Sequence, residues 1–230
     1  MCTVSYIPMQ NGFILTSSRD ENINRPTSSP KKRRMKEKKL VYPKDIQSGG
    51  TWIASSQERV LCLLNGKNNK KINALTKISR GKILLDNFKF LNAKDFLKQI
   101  PLKQVEPFTL LQVDFTKKTH IQEFNWNGEK LTVQSLDNGK SHLWTSSSLY
   151  SELVNEKRHN LLLDWGKENQ NNNPINFHLE LKDNNHELFE IKKNKIDILT
   201  SSITSVEVNN KKVLFLYSDF ISNKSTMLKL

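Results

Sequence analysis

Two cysteines, five histidines and no long apolar run are what this chain of 230 residues has least of, and each scarcity removes a class of function. Cys2 and Cys62 are too few for a disulfide framework, and without paired Cys/His spacing a structural zinc site is not expected. No histidine sits in a metalloprotease spacing and no serine occupies a Gly-x-Ser-x-Gly elbow, so a Ser/His/Asp hydrolase is unsupported. No stretch approaches the roughly 20 apolar residues of a membrane span, and the first residues lack the basic start and apolar stretch of a signal peptide. A cytoplasmic protein without a transmembrane segment is the expectation. Gly139-Lys140-Ser141 has the ending of a phosphate-binding loop, but the position of its partner glycine holds Gln134.

What is abundant is positive charge. A formal net charge of +13 invites a nucleic-acid reading, since clustered cations release counterions from phosphates. The distribution speaks against nucleic acid as a partner. Only seven of the 36 basic residues are arginines, and the lysines are spread along the chain among asparagines, as in Asn209-Asn210-Lys211-Lys212. The exception is the run Lys31 to Lys39, which follows Pro26, Thr27 and Pro30 and reads as an exposed basic loop at about 28–42.

With 36% hydrophobic residues the chain is able to enclose a core. Apolar runs at Cys2 to Ile7 and Phe13 to Thr16 flank Gln10-Asn11-Gly12, the sequence of a hairpin. A second strand pair is expected at Thr51 to Ser55 and Val60 to Leu64. From Ile83 to Ile100 the spacing turns helical, with Leu84, Phe88, Leu91, Phe96, Leu97 and Ile100 on one side and Pro101 as the stop. Strands follow at Leu110 to Phe115, His120 to Trp126, Lys130 to Ser135 and Leu143 to Ser147. A helix over Leu149 to Trp165 would bury Leu149, Leu153, Leu161 and Leu162 and end near Gly166 and Asn169 to Asn173. A short helix at Pro174 to Leu181 and strands at Thr200 to Val208 and Val213 to Phe220 complete a layered α+β order, with no linker to divide it.

Cys2 has the most chemistry in its position. A thiol titrates at about 8.5 and a free α-amine at about 7.7–8.0. Removal of Met1 would leave one residue with a nucleophile and a base of matched basicity, which is what amide cleavage requires. By position alone Cys2 is equally at home as a small apolar residue on a first strand. Cys62, inside Val60-Leu61-Cys62-Leu63-Leu64, reads as a buried unreactive thiol.

Met1-Cys2-Thr3-Val4, Ser18-Arg19-Asp20-Glu21, Arg25-Pro26-Thr27, Gly49-Gly50-Thr51-Trp52-Ile53, Leu64-Asn65 and Ser79-Arg80-Gly81 together closely resemble the NRDE family. That family is named for an Asn-Arg-Asp-Glu motif and includes transport and Golgi organisation protein 2. The resemblance is strong over the first third of the chain and elsewhere rests on the alternation of strands and helices. It implies one domain over residues 1–230 with a fold like that of N-terminal nucleophile hydrolases: a four-layer αββα sandwich of two antiparallel sheets between helices. The opening is similar to that of the bile-salt and penicillin amidases.

On that resemblance Cys2 would attack an amide or thioester carbonyl, with its α-amine relaying the proton. Arg19 would hold the thiolate or a substrate carboxylate, since a neighbouring cation enriches the thiolate. Asp20 would orient the amine, with Glu21 as a substitute. Asn65 would donate to a developing oxyanion, and Trp52 and Ser147 would line the substrate site. No metal and no cofactor is required. The residues also admit plainer readings: Arg19 and Asp20 paired across a turn, Asn65-Gly66 as an ordinary turn, Trp52 as a core or pocket-wall aromatic. The implied activity is an N-terminal cysteine hydrolase or acyltransferase. The alternative is a non-catalytic binding or trafficking protein for haem or acyl-coenzyme A and lipid, its lysines meeting the phosphates. The chain departs from its relatives at Ser18, where the family has Asn, and at Ser147, where the family often shows Leu-Ser-Asn. After Arg158 it has no arginine, so the late arginine of the amidases has no counterpart.

Overall fold

Alternation sets the two faces of the opening strand against different surroundings. In β1 (Thr3–Met9), Val4 and Tyr6 enter the main apolar core, while Thr3, Ser5 and Ile7 face a layer of helices. β2 (Gly12–Asn22) pairs antiparallel with it, Met9 opposite Gly12 and Thr3 opposite Ser18. The computed structural model describes residues 3–67, 78–91, 93–168, 173–183 and 198–230; Met1, Cys2 and the asparagines of 169–172 fall outside them.

Gly12 is required by close approach rather than by the turn. A Cβ there would lie 1.8 Å from the Val208 carbonyl oxygen, and neither Gln10 nor Asn11, the true loop pair, takes a positive φ. The Asn-Gly signal thus finds the hairpin for the wrong local reason.

β1 and β2 sit within a 6-stranded sheet, and the remaining strands build a 7-stranded one. The second sheet opens with the hairpin β3 (Thr27–Met35) and β4 (Lys38–Asp45). It continues through β5 (Ile53–Ser55), β6 (Arg59–Asn65), β7 (Phe108–Asp114), β8 (His120–Trp126) and β9 (Leu131–Leu136), each paired antiparallel with the next. In the first sheet β10 (His142–Thr145) flanks β1, while β11 (Ile198–Asn209), β12 (Lys212–Asp219) and β13 (Lys224–Lys229) continue beyond β2. At the tip of the β11–β12 hairpin Asn210 and Lys211 both take positive φ, as a two-residue turn of matching twist demands.

The sheets pack face to face, Phe13, Leu15, Val206 and Phe215 of one against Val60, Cys62, Leu64 and Leu111 of the other. α1 (Arg80–Asn87) lies against β5 and β6, followed by α2 (Ala93–Gln99); α3 (Glu152–Glu168) and α4 (Ile175–Asp183) cover the first sheet. The architecture is the expected αββα sandwich of two antiparallel sheets. Among the described residues no helix is long and apolar enough to cross a membrane.

Three expectations need correction. Residues 28–42 are not a loop, because Leu40, Val41 and Tyr42 are buried in β4 and carry β3 with them as the sheet's edge. Along β3, Lys31, Lys32 and Arg34 are exposed and Arg33 stacks on Tyr42 at 4.4 Å; charge on an edge strand discourages pairing with another chain. The helix expected over 83–100 is two helices. Buried Arg59, ion-paired to Asp114 at 2.6 Å, bonds Asn87 and the Phe90 and Leu91 carbonyls, which fixes the break, and Leu91 is 90% exposed. On α3 the buried side chains are Val154, Arg158, Leu162 and Trp165, whereas Leu153 and Leu161 are exposed. A charged residue occupies that inward face because it has a polar partner on β1.

Gly12→Ala is expected to destabilise the protein by about 2–3 kcal/mol through overpacking against Val208, a fall in Tm of about 4–12 °C for a chain of this size. Asn11→Ala should change Tm far less. Thermal unfolding followed by circular dichroism checks both.

Candidate active site

At the end of β2 consecutive residues point to opposite sides of the first sheet. Arg19 turns inward and is 2% exposed. Its Nη1 donates to Ser201 Oγ at 3.1 Å, its Nη2 to Asp45 Oδ2 at 3.2 Å, and its guanidinium carbon lies 4.8 Å from the Trp52 ring centroid. Burial lowers the Arg19 pKa, opposed by Glu21 and Asp45. At Asp45 burial acts upward, but the Ser48 N–H and the Arg25 guanidinium outweigh it and hold the carboxyl below its ordinary value.

These groups form the floor of a cleft of about 320 Å³. Arg25 Nη1 is 3.2 Å from Glu21 Oε2, and its Nε is 2.7 Å from Asp45 Oδ2 in an ion pair off the N–H direction. Arg80, at the start of α1, is 3.1 Å from Glu106 and donates to the Pro107 carbonyl at 3.1 Å. Thr51, Trp52, Leu63 and Asn65 supply the remaining wall. The close approach of the Gly50 turn to α1 sets its width, since a Cβ on Gly50 would lie 2.5 Å from the Gly81 carbonyl carbon.

On the helix side of the sheet Asp20 is buried and accepts from Tyr150 Oη and Thr200 Oγ1, each at 2.6 Å. β11 pairs Thr200 with Asp20 and then shifts register, so that Ser201 is the extra residue before Ser202 pairs with Arg19. Thr200 serves Asp20 on one face while its neighbour Ser201 serves Arg19 on the other. Arg158 Nη1 donates to Thr3 Oγ1 at 2.5 Å and lies over the Tyr150 ring at 4.0 Å. Beside it His178 bridges Ser18 Oγ at 2.7 Å and Ser5 Oγ at 2.8 Å. Burial, and secondarily Arg158, push the His178 pKa down to about 3, so it is a neutral bridge between two hydroxyls.

Of the residues singled out from sequence, Arg19, Trp52 and Asn65 share the cleft. Asp20 faces away from it. Ser147 lines a different hollow, with Glu123, Trp144, Asn155 and His159. Cys2 lies outside the described residues; its chain neighbour Thr3 is buried opposite Ser18, next to Arg19. Cys62 is buried and its thiol is pushed up to about 12, chiefly by burial.

Asp45, Glu106, Tyr150, Thr200 and His178 carried no sequence signal. Arg25 and Arg80 stood in the resembling blocks without a role, and Arg158 only marked the last arginine. Among the described residues no group of three or more His, Cys, Asp or Glu side chains is arranged to hold a metal.

The family model described as Transport and Golgi organisation 2 matches residues 1–222. No curated protein matches the chain. Among solved structures, penicillin V acylase from Agrobacterium tumefaciens superposes with a TM-score of 0.52 at 8% sequence identity, over 100% of this chain and 86% of that one. The likeness is one of fold: an N-terminal nucleophile hydrolase-like sandwich, as the NRDE resemblance implied.

His178 gives the site region a pH dependence of definite sign. Its folded pKa is depressed below the ordinary value of 6.5, so the stability tied to its neutral form is complete above that pH and is lost as pH falls toward 3. Urea unfolding should show the stability difference between the parent chain and His178→Gln shrinking by about 2–3 kcal/mol from pH 7.5 to 4.5. A constant difference would contradict this.

Proposed function

The chain belongs to the Transport and Golgi organisation 2 family, and from that premise and the chemistry of the cleft we propose an N-terminal cysteine hydrolase or acyltransferase acting on a small amide or thioester. One observation carries the reading. Arg19, Glu21, Arg25, Trp52, Asn65 and Arg80, from separate stretches of sequence, line one cleft at the end of β2 where the chain enters β1. The penicillin V acylase likeness supports the fold on which such a nucleophile works.

In the proposed reaction the α-amine of Cys2, freed by loss of Met1, takes the thiol proton. The sulfur attacks the carbonyl carbon, and the tetrahedral oxyanion draws a hydrogen bond from the Asn65 amide. Collapse expels the amine or thiol, which leaves with the proton, and a thioester remains on Cys2. Water completes a hydrolysis; a second nucleophile completes a transfer. Arg19 supplies fixed positive charge that favours the thiolate, and Asp20, held by Tyr150 and Thr200, orients the amine from the far side of the sheet.

A haem, acyl-coenzyme A or lipid carrier draws less support, because the cleft walls bear six charged side chains and only two large apolar ones, Trp52 and Leu63.

Intact mass of the protein from its native host should show Met1 absent, and a thiol-directed acylating probe should label Cys2. Against a panel of amides and thioesters Cys2→Ala should lose on the order of 10³-fold or more in kcat/KM, with Cys2→Ser between it and the parent. Retention of Met1 in active protein would defeat the proposal, since the base would then be locked in a peptide bond.

A further inference from the structure

We infer that the cleft takes a small ligand bearing a free carboxylate, and that Arg25 and Arg80, rather than Arg19, grip it. This rests on reading the cleft as the substrate site. Arg19 is poorly placed to meet a ligand, being 2% exposed, with its Nη atoms committed to Ser201 and Asp45 and its face on Trp52. An anion entering from solvent meets other guanidiniums first.

Arg25 is 36% exposed on the cleft wall, with its Nε against Asp45 and its Nη1 on Glu21. Its Nη2 has no partner among the described residues. Arg80 is 21% exposed and uses one Nη on Glu106 and the other on the Pro107 carbonyl. A guanidinium carries five N–H donors in a planar fork, so each arginine retains donors toward the cleft. The two lie near enough for the charge of Arg25 to disfavour that of Arg80. Like charges sharing one cleft are relieved by an anion between them, and a planar carboxylate matches the fork.

Charge balance narrows the ligand further. Three guanidiniums face three carboxylates, Glu21, Asp45 and Glu106, so the cleft is close to neutral. One added negative charge is tolerable there. The several charges of coenzyme A phosphates would meet those carboxylates, and a long acyl chain would find only Trp52 and Leu63. The volume of about 320 Å³ suits a small molecule.

Binding is tested without turnover, in Cys2→Ala protein, by ligand-detected NMR titration. N-acetylglycine is the probe, N-acetylglycinamide its uncharged counterpart and coenzyme A the phosphate-bearing arm. N-acetylglycine should bind saturably, and the uncharged amide should bind at least about tenfold more weakly. Arg25→Gln and Arg80→Gln should each weaken N-acetylglycine to a similar degree, with Arg80→Lys in between. Arg25→Gln, at the more exposed position, serves if loss of the Glu106 partner unfolds the Arg80 variants.

Equal binding of acid and amide, absence of saturable N-acetylglycine binding, or unchanged binding in folded Arg25→Gln would each overturn the assignment. So would tighter binding of coenzyme A lost in the same variants, which would mark a phosphate site. A chain in which Cys2 proves inert would sink the hydrolase reading and leave this binding result standing, so the two failures are separable.

Discussion

A guanidinium buried between two sheets is the constraint from which the rest of the site follows. An arginine cannot discard its proton, so Arg19 at 2% exposure must be given a carboxylate and its donors must find acceptors. Asp45, the last residue of β4, supplies the charge across the sheet interface at 3.2 Å. Bringing it there forces the chain after β4 to fold back: the Ser48 N–H bonds Asp45 Oδ1, and the Asp45 N–H bonds the Gly50 carbonyl. That turn in turn abuts α1, where the Thr51 N–H meets the Gly81 carbonyl at 3.3 Å, and so sets where Arg80 stands. One buried charge thereby links β2, the β4–β5 connection and the start of α1.

The other face of β2 solves a different problem with the same alternation. Ser18 and Asp20 face the helices, where apolar packing would leave their polar atoms unpaired, and each has a partner brought from far along the chain. In β11 the neighbours Thr200 and Ser201 serve the two faces, and the bulge beside them turns Ser202, Thr204 and Val206 to the inner face, where a regular strand would have kept them on the side of Thr200. His178 stands between Ser5 and Ser18, its ring bridging the two hydroxyls.

Ion pairs of this kind are a poor way to hold a protein together, because desolvation offsets most of their attraction. A cleft that gathers six charged side chains in balanced number makes better sense as a preorganised polar environment, in which dipoles and charges are already aimed. The apolar core between the sheets carries the stability. The cleft sits at the end of that core, where β2 has exchanged Phe13 and Leu15 for Ser17 and Arg19 on its inner face.

Much of this was legible in the residues. Alternating apolar runs and turn dipeptides gave most strands of both sheets, and the resembling blocks gave the fold and site roles for three residues of the cleft, Arg19, Trp52 and Asn65, because local patterning and short motifs are read one segment at a time. The β3–β4 hairpin was not, since its lysines mask a pattern that only the pairing of Val41 with Ser55 makes coherent. Nor was the separation of Ser147 from the cleft, or the recruitment of Asp45, Tyr150, Thr200, Arg158 and His178. Those partners lie 26 to 180 residues from the β1 and β2 groups they satisfy. The sequence by itself determined which residues needed partners, because a buried charge or hydroxyl must be paired. Only the tertiary structure decided which partners they received, because that choice depends on strand order and register.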